Sequence, residues 1–209
     1  MTGRWPKAVL FDLLTALIDS WTLWDAVAGN KDDGRRWRAA YLKNTYGAGR
    51  YRPYEMLVCE AAVAVGLPAE LGHRLTERYG ELKPWPEAAA VLQTLQGRVP
   101  LAIVSNCSEA LARIAVARIG VTFDAVVTAE RAGFYKPHPA PYRLALAELG
   151  TKPQDCLFVA GSAYDLPGAS ALGLEVFWHD RIGMPVLSGA SPPRWHHRTL
   201  HRLIRIALG

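Results

Sequence analysis

No apolar run in the 209-residue chain approaches the ~18 residues that a membrane-crossing helix needs, because Pro100, Ser105 and Asn106 interrupt the longest candidate. An export-type apolar segment is also missing at the start, where Arg4, Trp5, Pro6 and Lys7 lead directly into the first strand, so a cytoplasmic location and no membrane partner are expected. Cysteine is scarce. Cys59, Cys107 and Cys156 lie far apart without metal-type spacing, and an odd count argues against a disulfide framework, so they are read as reduced and mostly buried. Internal repeats and low-complexity tracts are lacking too. The charge excess is small: the formal net charge is +5, much of it from Arg35, Arg36, Arg38 and the Arg/His-rich tail between Arg194 and Arg205. Without a binding motif this reads as a solvated face and not a nucleic-acid site, although it also suits a small anionic substrate. Half the residues are apolar, which implies a globular chain of one domain or two small ones.

The chain opens on V-L-F-D-L-L-T-A-L, residues 9 to 17. A β-rich run that closes on a carboxylate and then turns is how an open α/β sheet presents a reactive group at the carboxyl edge of a strand, so Asp12 is a candidate nucleophile. It is equally a candidate N-cap for the next helix. Asp19 or Ser20 then caps a helix through Trp21, Trp24 and Val27. The stretch from Gly29 to Gly34 breaks the pattern, and a helix restarts around Trp37, Ala40 and Tyr41 until Gly47 and Gly49. Two more helices are expected at about 53–65 and 69–79, so 16–86 reads as wholly helical.

After Pro86 strands and helices alternate, the signature of a parallel sheet with right-handed crossovers. Strands are expected at 101–104, 125–128, 157–160 and 175–178, and helices at 87–96, 108–119, 140–149, up to Gly173, and 198–207. The fold class is α/β: a Rossmann-like core of 1–15 and 87–209, with a helical insertion of 16–86 after its first strand. Three strand ends deliver polar groups: Asp12, then Ser105 with Asn106, then Ser162 with Asp165. Lys136 arrives on the loop between the second and third. Neighbouring strand ends face one crevice, so these groups can converge. Each also has an ordinary role as a helix cap or surface charge.

This order resembles the haloacid dehalogenase superfamily, and within it the L-2-haloacid dehalogenase branch. F-D-L-L-T-A-L, I-V-S-N, Y-K-P-H-P-A-P-Y and F-V-A-G-S-A-Y-D are similar to its four motifs, and W-R-A-A-Y-L-K-N-T-Y, residues 37 to 46, is similar to the segment bearing the substrate arginine. The resemblance implies a helical cap over the core and a metal-independent displacement at carbon. Asp12 would attack the 2-carbon of a small carboxylic acid and form an ester, which water then hydrolyses at the side chain. Lys136 would keep Asp12 ionised, and Asp165 would orient Lys136 or help activate water. Ser105 and Asn106 would hold the substrate carboxylate. Arg38, with Arg35 in reserve, would receive the leaving anion, and Tyr142 and Ser162 would complete the pocket. Trp21, Trp24 and Tyr164 would wall it, although both tryptophans also read as a packing stripe. No cofactor is implied, and cap surfaces of the branch often support homodimers.

The chain departs from the branch at Thr15 and Ala16, where the branch has Gly then Thr, displacing by one position the hydroxyl that bonds the nucleophile. It departs again at Ala160 and Ser162, where the branch has Ser and Asn. Phosphatases of the superfamily carry acids at the positions of Leu14 and Gly161, so phosphate-ester hydrolysis with magnesium is disfavoured. A hydrolase opening a strained cyclic carboxylate and a non-catalytic binding protein are further alternatives.

Overall fold

The computed structural model describes residues 5–209; Arg4 lies outside the described residues. The first strand, β1 (Ala8–Phe11), is buried on both faces, as the unbroken apolar run A-V-L-F requires of a central parallel strand. A ribbon strand, β2 (Ile18–Asp19), and four helices follow: α1 (Ser20–Ala28), α2 (Lys31–Gly47), α3 (Tyr54–Ala64) and α4 (Glu70–Glu77). The chain returns through β3 (Lys83–Pro84) and α5 (Ala88–Leu95) to β4 (Leu101–Ser105), α6 (Glu109–Ile119), β5 (Ala125–Thr128) and the short α7 (Ala129–Ala132). It ends with α8 (Pro139–Glu148), β6 (Cys156–Ala160), α9 (Asp165–Ala171), β7 (Glu175–His179), β8 (Trp195–His197) and α10 (His201–Leu208).

The main sheet has the order β5-β4-β1-β6-β7-β8, and all of its pairings are parallel. The chain leaves β1 for β4 on one side and later reaches β6 on the other, so the strand order reverses at β1. Its carboxyl end is therefore the crevice in which an open α/β sheet presents groups to a ligand. Alternate residues of β1 serve different layers. Val9 and Phe11 pack with α5 and α6, whereas Ala8 and Leu10 pack with Tyr142, Ala145 and Leu146 of α8.

The segment 16–86 is not wholly helical: β2 and β3 pair antiparallel at its base, Ile18 opposite Pro84 and Asp19 opposite Lys83. Such short strands carry too few residues for a period-2 pattern. The second helix begins at Lys31, earlier than Gly34 suggests, because Asn30 caps it with a hydrogen bond from Asp33 N at 2.9 Å. Gly34 lies inside it where α1 crosses closely; a Cβ there would stand 2.5 Å from Asp25 Cα. The last helix starts at His201 and not at 198, and it is preceded by a short edge strand, β8, whose W-H-H carries no apolar alternation. Four aromatic contacts form a column through the helical layer: Trp24 with Trp37 at 4.4 Å, Trp24 with Tyr41 at 5.1 Å, Tyr41 with Tyr54 at 5.2 Å and Tyr54 with Tyr79 at 6.0 Å. Among the described residues no helix is long and apolar enough to cross a membrane.

Candidate active site

Asp12 is the first residue beyond the β1 ladder, its N–H donating to the Val159 carbonyl at 2.9 Å. The chain then turns back on its own carboxylate. Thr15 Oγ1 at 2.6 Å, Thr15 N at 2.9 Å and Ala16 N at 3.2 Å all donate to Asp12 Oδ2. The threonine hydroxyl thus reaches Asp12 despite its displacement in sequence, because the turn brings residue 15 over the carboxylate. Two side chains hold this turn from behind. Trp85 Nε1 donates to the Thr15 carbonyl at 3.0 Å, and His179 Nδ1 donates to the Ala16 carbonyl at 2.7 Å. Burial pushes the His179 imidazole below its ordinary range, so it is neutral, with its proton on the nitrogen that faces the carbonyl.

Asp12 Oδ1 accepts from Lys136 Nζ at 2.9 Å, and the same ammonium donates to Asp165 Oδ1 at 2.8 Å. Lys136 is fully buried. Its backbone is clamped by Asn106, whose Oδ1 accepts from Lys136 N at 2.7 Å and whose Nδ2 donates to Lys136 O at 3.1 Å. The Asn106 side chain, expected to hold a substrate carboxylate, is committed instead to positioning the lysine. Asp165 opens α9; its Oδ2 accepts from Gly161 N and Ser162 N, each at 3.3 Å, and Tyr46 Oη donates to its Oδ1.

The two carboxyls are pushed apart in acidity. For Asp12, burial acts to raise the pKa, but the Lys136 ammonium and the hydrogen bonds from Thr15 and Lys136 reverse it and hold the carboxyl below 3.8. Asp165 is raised, because burial and the negative charge of Asp12 outweigh the pull of Lys136 and Tyr46. Burial would discharge Lys136, yet the two carboxylates keep its pKa above the ordinary lysine value. Of the pair, Asp12 is therefore the stronger acid.

Facing this cluster is a buried cation. Arg38, 1% exposed on α2, stands over the rings of Trp24 at 5.0 Å, Tyr41 at 5.3 Å and Trp21 at 5.5 Å. Its Nη2 donates to Ser20 Oγ at 2.8 Å, while Nε and Nη1 have no partner among the described residues. Among the described residues no acid lies within ion-pair distance of its guanidinium. A buried charge without a counter-ion costs several kcal/mol, which the aromatic faces offset only in part. The reserve candidate Arg35 is exposed.

A cavity of about 20 Å³ separates the groups, lined by Asp12, Leu14, Thr15, Arg38, Tyr41, Leu42, Thr45, Tyr46 and Asn106. It has room for about one water molecule. Sequence reasoning missed Tyr46, Leu42 and Thr45, although with Arg38 and Tyr41 they form one i, i+3, i+4, i+7, i+8 stripe of α2. The remaining candidates lie behind this lining. Trp21 and Trp24 pack on Arg38, and Tyr164 packs on Tyr46 with ring centroids 5.2 Å apart. Ser105 is buried and accepts from Cys107 Sγ at 3.4 Å. Tyr142 packs edge-on against Phe158, and its hydroxyl, like that of Ser162, is buried without a partner. Tyr41 Oη donates to the Asn106 carbonyl at 2.8 Å, so α2 touches the sheet's carboxyl edge directly.

Gly161 decides what this edge can hold. A Cβ there would stand 2.1 Å from Ala16 N and 2.2 Å from Thr15 Oγ1. An acid at that position is thus incompatible with the turn that cradles Asp12. With Lys136 between Asp12 and Asp165, and Leu14 where a second acid would stand, the donor set does not suit a hard divalent cation. Gly161→Ala is expected to destabilise the fold by about 1–3 kcal/mol through overpacking. The check is a lower urea midpoint at unchanged slope.

The chain matches the family model "haloacid dehalogenase-like hydrolase" over residues 6–173. It is 32% identical over 194 residues to haloacetate dehalogenase H-2 of Moraxella sp. (strain B), covering 85% of this chain and 87% of that protein. It is 31% identical over 201 residues to the (S)-2-haloacid dehalogenase of Xanthobacter autotrophicus, covering 87% and 78%. The structure of L-2-haloacid dehalogenase from Xanthobacter autotrophicus with chloropropionic acid covalently bound superposes with a TM-score of 0.86 at 26% identity, covering 98% of this chain and 99% of that one.

Proposed function

The chain belongs to the haloacid dehalogenase-like hydrolases, and we propose that it is a metal-independent hydrolase of small 2-substituted carboxylic acids, specifically an (S)-2-haloacid dehalogenase. One observation carries the reading: a buried arginine without a counter-ion shares a small cavity with a carboxylate held ionised. That arrangement suits a reaction in which the carboxylate attacks and an anion departs toward the cation.

In this reading Asp12 Oδ1 is the nucleophile, because Oδ2 is already committed to three donors. Oδ1 attacks C2 of the acid, the carbon–halogen bond breaks, and its electron pair leaves with the halide toward Arg38. A carboxylate is a weak nucleophile when hydrated, so the closed cavity and the single ammonium beside it keep it charged but dry. Water then attacks Cγ of the ester. The developing oxyanion on Oδ2 falls among Thr15 Oγ1, Thr15 N and Ala16 N, the donor arrangement of an oxyanion hole. Asp165, whose pKa is raised, accepts the proton of that water. Cleavage of the Cγ–oxygen bond, with the proton passed back from Asp165 to the departing alkoxide, releases the 2-hydroxy acid, whose hydroxyl oxygen came from Asp12; the second water proton leaves to solvent, and a water oxygen stays in the regenerated carboxylate. Ser105 and the start of α6 stay behind the cavity lining, where Glu109 N donates to Glu130 Oε2 at 2.6 Å and Leu111 N to Ser108 Oγ at 3.5 Å, so they support the site without touching substrate.

Because the cavity admits about one water, substrate entry requires the helices to lift from the sheet, breaking the Tyr41–Asn106 and Tyr46–Asp165 contacts. The segment 16–86 is accordingly a cap domain over a core of 1–15 and 87–209. The same reading places the enzyme in the cytoplasm without cofactor, membrane or nucleic-acid partner, and as a homodimer formed through the cap.

The test is incubation with (S)-2-chloropropionate in the presence of a chelator. Chloride and (R)-2-hydroxypropionate are expected in equal amounts, since one back-side displacement inverts C2. Absence of chloride release, with magnesium-dependent phosphate release from a phosphate monoester, would overturn the reading.

A further inference from the structure

Ser20, the first residue of α1, is 1% exposed and has no part in capping its helix, which Asp19 caps through a hydrogen bond from Thr22 N. Its hydroxyl turns inward. Arginine can only donate and a carbonyl can only accept, so the directions of its two bonds are fixed: Arg38 Nη2 donates to Ser20 Oγ at 2.8 Å, and Ser20 Oγ donates to the Leu14 carbonyl. The Leu14 carbonyl belongs to the same peptide group as Thr15 N, which donates to Asp12 Oδ2 at 2.9 Å. A continuous line of hydrogen bonds therefore runs from the buried guanidinium, through one hydroxyl and one peptide, to the carboxylate across the cavity. Bonds in such a line polarise one another in the same sense.

The guanidinium is planar, so one fixed nitrogen and three aromatic neighbours together fix its orientation. Nε and Nη1 are left buried and unpartnered. Without the Ser20 acceptor, Nη2 would be a third orphan donor, and the plane would be free to turn within its apolar surroundings.

Resting on the displacement chemistry above, we propose that Ser20 is a positioning residue for carbon–halogen cleavage: it sets the plane of Arg38 toward the departing halide and ties that plane to the turn that holds Asp12. Its influence falls on ester formation, in which the halide leaves, and not on ester hydrolysis, in which it has already left.

The experiment compares wild type, Ser20→Ala and Ser20→Thr. Chloride binding to the free enzyme is read by chlorine NMR line broadening, and single-turnover ester formation and hydrolysis are followed with chloroacetate and bromoacetate. Ser20→Ala is expected to weaken chloride binding about tenfold, the scale of one hydrogen bond to a charged group. It should also slow ester formation more for chloroacetate than for bromoacetate, whose better leaving group needs less help, and leave ester hydrolysis unchanged. Ser20→Thr, which keeps the hydroxyl, should restore both quantities to within about twofold. If Ser20→Ala does not fold, Ser20→Cys supplies a weak acceptor for Arg38 and a weak donor to Leu14 in a similar size, and is expected to lie between alanine and wild type. Wild-type chloride affinity in Ser20→Ala with an unchanged chloride-to-bromide ratio would overturn the proposal, as would equal slowing of both steps. Should wild type release no halide from either acid, the dehalogenase reading fails by itself, and the chloride affinities still decide the role of Ser20.

Discussion

Asp12→Asn is expected to lower haloacid turnover at least about ten-thousandfold, on the scale seen when a nucleophile is removed from a covalent catalyst. The substitution keeps volume and shape but takes away the charge. The three donors from Thr15 and Ala16 require an acceptor, so the amide oxygen takes the Oδ2 place and the amide nitrogen faces Lys136 Nζ. A donor then meets a donor, and no oxygen lone pair points at the substrate carbon. Intact-mass measurement during turnover checks this: wild type passes through an adduct heavier by the acyl fragment, and the variant shows none. Halide release at the wild-type rate would contradict the role given to Asp12.

Lys136→Met is expected to abolish turnover and to destabilise the fold by about 3–5 kcal/mol near neutral pH, because it leaves two carboxyls buried without their shared cation. The loss has a definite pH dependence. Without the ammonium, burial dominates both groups and raises their folded-state pKa values above the ordinary 3.8. A raised carboxyl penalises the fold above its folded pKa, and the penalty fades as pH falls through that value and the group takes up a proton. The stability gap to wild type should therefore narrow from pH of about 7.5 to about 5. In wild type, Asp12 acts in the opposite sense: its depressed pKa stabilises the fold above 3.8, and that contribution is lost as pH falls through the folded value. Urea denaturation at the two pH values checks this, and a gap that does not change with pH would count against a buried, shared cation.

The sheet was legible because its signals are local. Apolar runs ending on Asp12, Ser105 and Ala160 mark strand ends, and Asp19 and Gly120 mark helix boundaries, whereas the Asn30 cap of α2 is obscured by Gly34 four residues on. The cavity stripe of α2 was present as well, in helical period from Arg38 to Tyr46, but helical period does not say which face meets the sheet. What local pattern does not carry is contact across the fold. Trp85 and His179 hold the Asp12 turn from positions 70 and 163 residues away, and Asn106 grips a backbone 30 residues on. Ser20 read as a helix cap because serine is common there, and only the packing of α1 against α2 turns its hydroxyl toward Arg38. The β2–β3 ribbon and β8 are similar cases: strands of two or three residues are made by their neighbours rather than by their own sequence.

Oxygen-18 labelling is the most direct test that a covalent bond forms between Asp12 and the substrate carbon. In a single turnover in labelled water, with enzyme in excess, the released hydroxy acid is expected to carry ordinary oxygen, and the heavy atom is expected in the peptide containing Asp12. Heavy oxygen in the hydroxy acid, with none in the protein, would mean that water attacks carbon directly and would contradict the account.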